Sequence, residues 1–94
     1  MCKLCAVPSQ QINNDRTVVT EWRFAPGAET GWHTHEMDYV VVPMTDGVLM
    51  LEMEEGNKTA TLVAGQAYFR KAGVRHNVIN GGDKELVFIE VEIR

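Results

Sequence analysis

Three histidines, His33, His35 and His76, are all the imidazoles in this chain, and their spacing suits metal chemistry better than packing. Alternate side chains on a strand share a face, so His33 and His35 project together while Trp32 and Thr34 point away. Two imidazoles side by side can bite one ion, and His76, from a facing strand, would complete a facial set. Three neutral imidazoles leave positions open for water or substrate, an arrangement suited to Zn, Ni, Cu or non-haem Fe. Such ligands must be unprotonated, so an ion held this way is expected to leave as pH falls below about 6.5, the ordinary imidazole value.

The elements that must position these residues read as strands. From Arg16 onward, β-branched and aromatic residues alternate with polar ones over short stretches, and nothing reads as a helix. About eight strands are expected, over 16–24, 31–35, 38–44, 47–53, 58–63, 66–70, 74–80 and 85–94. Asp46-Gly47, Glu55-Gly56-Asn57 and Asn80-Gly81-Gly82-Asp83 supply the positive-φ residues of tight connections, so consecutive strands are expected to be antiparallel neighbours. In the last strand Val87, Ile89, Val91 and Ile93 share one face, read as the core side, and Glu90, Glu92 and Arg94 share the other. Many short strands without helices favour a sandwich or small barrel.

Ninety-four residues accommodate one domain, read as an N-terminal tail over 1–15 and a folded unit over 16–94. The tail carries Cys2 and Cys5 in a C-x-x-C spacing. No strand or helix pattern supports that pair and no second pair completes a zinc site, so it reads as part of the tail. Nine Lys plus Arg against thirteen Asp plus Glu give a net charge of −4 with no basic tract, which argues against nucleic acid as partner. The longest nearly apolar run, Tyr39 to Met44, is far short of the roughly 20 residues of a membrane helix. No secretory signal is legible, so a cytoplasmic location is expected. A short chain has a thin margin of stability, and the free edge of its first strands invites a second copy; a homodimer is expected.

The glycines around the histidines add a second layer. Gly27, His33, His35 and Gly47, then Gly65, Lys71, Gly73, His76 and Asn80, resemble the two motifs of the cupin family, G-x5-H-x-H-x3-4-E-x6-G and G-x5-P-x-G-x2-H-x3-N. The resemblance runs from about Thr17 to Ile93, and the runs GWHTHEMDYVVVP and LVAGQAYFRKAGVRHNVIN are similar to small stand-alone bacterial cupins. It implies an all-β fold, an antiparallel double-stranded β-helix or jelly-roll barrel, with one divalent ion (Fe, Ni, Zn or Mn) held by His33, His35 and His76. Two positions depart from the motifs. Lys71 replaces the proline, and the glutamate position falls on Tyr39 or Val40, neither a carboxylate. Asp38 is a candidate to stand in as ligand after a local shift of the turn following His35.

Without that carboxylate the site resembles the three-His dioxygenases of the superfamily. The function this implies is metal-dependent chemistry on a small organic acid or thiol, dioxygenation ahead of isomerisation or hydrolysis, with Tyr39 as a candidate catalytic proton or hydrogen-bond donor if it points inward. The alternative is a non-enzymatic small-molecule or metal-binding sensor. Arg23, Arg70 and Arg75 read as solvated cations, Met50, Tyr68, Phe69 and Phe88 as core, and Gln66 and Asn77 have no assignable role.

Overall fold

The computed structural model describes residues 3–94 and contains nine strands and no helix among them. They are β1 (Val7–Asn13), β2 (Thr17–Phe24), β3 (His33–Thr34), β4 (Asp38–Pro43), β5 (Gly47–Met53), β6 (Gly56–Leu62), β7 (Tyr68–Arg70), β8 (Arg75–Asn80) and β9 (Leu86–Ile93). A five-stranded sheet in the order β1-β2-β9-β4-β7 faces a four-stranded sheet in the order β3-β8-β5-β6. Every ladder within the sheets is antiparallel.

The first strand lies ahead of Arg16, where the side-chain pattern reads only as a tail. All seven residues of β1 are exposed, so no buried face writes a period-two signal; backbone pairing to β2 makes the strand. The Asn14 side chain shapes the connection, its Oδ1 accepting from the Arg16 and Thr17 amides at 2.9 and 2.8 Å. Just before β1, Cys5 bridges Glu29, which in turn bridges Ile79 of the other sheet. Cys2 lies outside the described residues.

Only β1–β2 and β5–β6 pair as consecutive neighbours; the other connections cross between sheets, as a jelly roll requires. Of the glycines in the expected turns, Gly56 has the positive φ (128°) expected of it, but Gly47, Gly81 and Gly82 do not. The need at Gly47 is space: a Cβ there would sit 2.7 Å from Leu86 Cδ1. Phe24, Leu49, Leu62, Leu86 and Phe88 are buried between the sheets, with the Phe24 and Phe88 rings 5.4 Å apart. Asn80, buried, closes this end of the barrel: its Nδ2 donates to the carbonyls of Phe24 and Lys84, and its Oδ1 accepts from the Gly82 amide.

The register fixes which side chains face inward. Val18–Glu92–Tyr39–Arg70 and Thr20–Glu90–Val41–Tyr68 form two rows across β2, β9, β4 and β7. These carry the buried Val18, Thr20, Tyr39 and Val41, so they are the interior rows. The phase of β9 is therefore the reverse of the sequence expectation: Leu86, Phe88, Glu90 and Glu92 face the barrel. Leu86 and Phe88, buried at 1% and 4% exposure, set that phase, and the glutamates follow at alternate positions. The outer face carries a continuous apolar row, Ile12–Val19–Val91–Val40–Phe69, across all five strands.

Candidate metal centre

His33 and His76 are direct partners in the β3–β8 ladder, and the pairing carries on past the short β3. The His35 amide donates to the Val74 carbonyl, and the Gly73 amide donates back to His35, at 2.9 and 2.7 Å. This run places all three imidazoles at one point. His35 Nε2 lies 3.1 Å from His33 Nε2 and 3.1 Å from His76 Nε2. His35 and His76 are buried and His33 half-buried.

Their protonation is constrained. His33 Nδ1 lies 2.8 Å from the Gly31 carbonyl, to which only an N–H can bond, so its Nε2 presents a lone pair. Gly31 is itself held, because its amide donates to Asn77 Oδ1 at 2.9 Å. Asn77, exposed by only 3%, also donates through Nδ2 to Glu52 at 2.7 Å. Its role, opaque in sequence, is to fix the turn that orients His33.

Burial, followed by the neighbouring imidazoles, pushes His35 down to about 4, and burial with His33 pushes His76 down to about 4. Both rings are neutral at pH 7 and well below it. At these two ligands, protonation competes with an ion only well below the 6.5 that ordinary imidazoles suggest.

Three converging imidazoles fit a divalent ion. With metal–nitrogen bonds of about 2.0–2.1 Å, the two donor pairs that His35 makes, each 3.1 Å apart, subtend about 95–102° at the metal, angles that suit a facial set with open positions. Buried His76 has no partner for Nδ1, so the protein offers this ring nothing but its convergence on the other two. Such a site would hold the ion through His33, His35 and His76.

The other expected site residues divide. Tyr39 points inward, is 3% exposed and lies flat against His35. Burial, then Glu90, raises its hydroxyl to about 12, so it stays a neutral donor. Asp38 does not join the imidazoles. It opens β4 in the opposite phase to Tyr39, is exposed, and its Oδ1 accepts from the Ala72 amide at 2.8 Å.

The carboxylates at the site come instead from β9. Ligand atoms of His35, Glu90 and Glu92 lie within 4.8 Å of one another. Burial first and the charge of Glu92 second push Glu90 up to about 7, against a hydrogen bond from Trp22. The signal was present in the sequence: E-x-E repeats the H-x-H spacing and shares the parity of Leu86 and Phe88.

A cavity of about 230 Å³ opens onto His35, His76, Tyr39 and Glu90, walled by apolar residues such as Leu49 and Phe88, with Lys58 and Arg70 also lining it. A second cavity reaches the imidazoles from the other side, past Trp22, Thr30, Glu90 and Glu92. Arg70 stacks over Tyr68, 4.5 Å from the ring centroid. Arg23 and Arg75 lie outside the barrel, paired with Glu85 and Glu54. Met50 and Phe69 are exposed at 36% and 49% and do not line the larger cavity.

The profile of the Cupin domain family matches residues 20–92. The chain belongs to the cupin family. A crystal structure of a cupin domain from Bordetella pertussis Tohama I superposes on this cupin with a TM-score of 0.95 and 58% identity, covering 100% of this chain and 98% of that one. A curated protein of Pseudomonas aeruginosa, named beta-alanine degradation protein BauB, is 66% identical over 89 residues, 95% of this cupin and 94% of its relative. A Klebsiella pneumoniae protein with a double-stranded β-helix domain shares the fold at a TM-score of 0.78 and 23% identity, over 95% of this chain and 76% of that one. All three relatives are bacterial.

Proposed function

We propose that this cupin is a metal-dependent enzyme acting on a small organic acid or thiol, with one divalent ion per chain (Fe, Ni, Zn or Mn) held by His33, His35 and His76. The observation that carries the reading is the meeting of three imidazoles, with His35 Nε2 3.1 Å from each of the other two, beside an apolar cavity. A redox-active ion in such a set supplies dioxygen chemistry when bound, whereas a redox-inert one polarises a carbonyl or water. We favour dioxygenation over isomerisation or hydrolysis.

The chain's own residues supply the rest. Lys58 and Arg70 line the larger cavity, where either cation would draw in a carboxylate. Leu49, Val41 and Phe88 enclose the ligand's carbon skeleton and exclude water. Tyr39, neutral at working pH, would donate a hydrogen bond. The name of the Pseudomonas relative supports a role in β-alanine degradation, hence a short amino or oxo acid as substrate.

The experiment is elemental analysis of untagged protein and of His76→Ala, followed by oxygen uptake with candidate acids. Near-stoichiometric metal lost in the variant is the expected result. Iron with substrate-dependent oxygen consumption would support the dioxygenase, and a ligand returned unchanged would mean a sensor. Equal trace metal in both proteins would sink the metal reading.

The apolar outer row from Ile12 to Phe69 supports a homodimer formed through the five-stranded sheet. A stable monomer at micromolar concentration by light scattering would refute it.

A further inference from the structure

The motif position for a carboxylate holds Tyr39 and Val40, yet two carboxylates do approach one of the imidazoles, that of His35. Glu90 and Glu92 project from β9 toward the barrel two residues apart, as His33 and His35 do from β3. Their oxygens and a His35 nitrogen lie within 4.8 Å of one another. Donors sharing one ion at about 2.0–2.2 Å are at most about 4.4 Å apart, so for Glu90 to join the set its torsions must turn it toward His76, which lines the same cavity. The strand is also in the right place: β9 pairs directly with β4, with Glu92 opposite Tyr39 and Glu90 opposite Val41.

Two features besides proximity suit a cation here. With His33 Nδ1 turned to the Gly31 carbonyl, His33 Nε2 faces His35 Nε2 at 3.1 Å, and His35 Nε2 lies 3.1 Å from His76 Nε2. Among the described residues, no Lys or Arg forms an ion pair with Glu90 or Glu92. Two acids face inward beside the imidazoles, and Lys58 and Arg70, though they line the larger cavity, pair with neither, so there is room for a positive charge supplied from solution. Glu90 is the better placed of the two. It lines both cavities, with His35 in each and His76 in the larger, while Glu92 lines the smaller alone.

We propose that Glu90 is the carboxylate ligand of the metal centre, delivered from β9 and displaced by one strand from the motif position on β4. The set becomes three histidines and one glutamate. It lowers the net charge of the centre from that of a bare three-His ion and leaves one fewer open position. This rests on the three-His reading above.

Co(II), added to metal-free full-length protein, tests it through affinity and visible absorption, with no activity assay needed. Wild type is expected to bind one Co(II) per chain. Glu90→Gln should bind at least about 10-fold more weakly with shifted absorption bands, because the donor set has changed. Glu90→Asp keeps the charge but withdraws the oxygen by one methylene, and is expected to show a shift as well. Glu92→Gln should stay within about threefold of wild type with an unchanged spectrum.

Wild-type affinity and spectrum in both Glu90 variants, with binding abolished by His76→Ala, would overturn Glu90 while leaving the three histidines in place. Loss in Glu92→Gln instead of Glu90→Gln would also overturn the assignment. Failure of wild type to bind Co(II) would remove the three-His reading itself, and this inference with it.

Discussion

The ring of Tyr39 lies flat on that of His35, centroids 3.9 Å apart and planes 20° from parallel. The residue in the motif's carboxylate region thus acts as a wall that sets the tilt of the most central imidazole. Tyr39→Phe retains the wall: metal content is expected to stay at wild-type level, while under the enzymatic function proposed above turnover falls about 100-fold through loss of the hydroxyl. Tyr39→Ala removes the wall and should cost about 3–5 kcal/mol of stability, read from urea midpoints.

Acid should weaken the metal-free fold with a slope that reports on the centre. His35 and His76 stay neutral in the folded state down to about 4, while their unfolded counterparts take up protons from about 6.5. Their contribution is full above 6.5 and is lost as pH falls toward 4. Glu90 works the other way. Raised to about 7, it is protonated first in the folded state, so its contribution is full below its ordinary value and lost as pH rises through 7. Two histidines against one glutamate leave a net loss of about 1.4 kcal/mol per pH unit between pH 6 and 5. In Glu90→Gln that slope should about double. Urea midpoints across pH 5 to 7 measure both, and an unchanged slope in the variant would contradict the charge assignment of Glu90.

Asn77 touches none of the imidazoles yet should govern metal affinity. It holds the Gly31 amide, and the Gly31 carbonyl in turn fixes His33 Nδ1. Asn77→Ala is expected to weaken metal binding about 10- to 100-fold, as loss of an outer-shell orienting group typically does. Isothermal titration with Zn(II) checks this, with circular dichroism confirming that the barrel persists.

Gly47→Ala tests a packing constraint. The added methyl would sit 2.7 Å from a Leu86 atom that is itself buried. A destabilisation of about 1–3 kcal/mol is expected in thermal melts. Pairing it with Leu86→Ala, which vacates the space, should recover part of the Gly47→Ala penalty.

The histidines and most strand positions could be read in advance because period-two alternation and paired motif glycines are local signals. β5 begins and ends where that alternation puts it. The failures are equally physical. Exposed β1 is made by backbone pairing and has no buried face to announce it. In β9, hydrophobicity alone favours Val87, Ile89, Val91 and Ile93 as the inward set. Inside, however, the strand crosses from packed core at Leu86 and Phe88 to a polar centre at Glu90 and Glu92, while the outer face carries the apolar row. Asp38 was assigned by chemical type, and strand phase decided against it. Asn77 gives no pattern at all, since its value depends on a glycine amide from another loop.

The strand order β1-β2-β9-β4-β7 sets how the barrel can come into being. The last strand in the chain sits in the middle of its sheet, joining β2 to β4. Until β9 docks, that sheet exists only as two ribbons, β1-β2 and β4-β7, and isolated two-stranded ribbons are at best marginal in water. Closure therefore waits on a pairing between distant parts of the chain, the kind of contact that makes β-proteins fold in milliseconds to seconds. The same docking that completes the sheet brings Glu90 and Glu92 alongside His35.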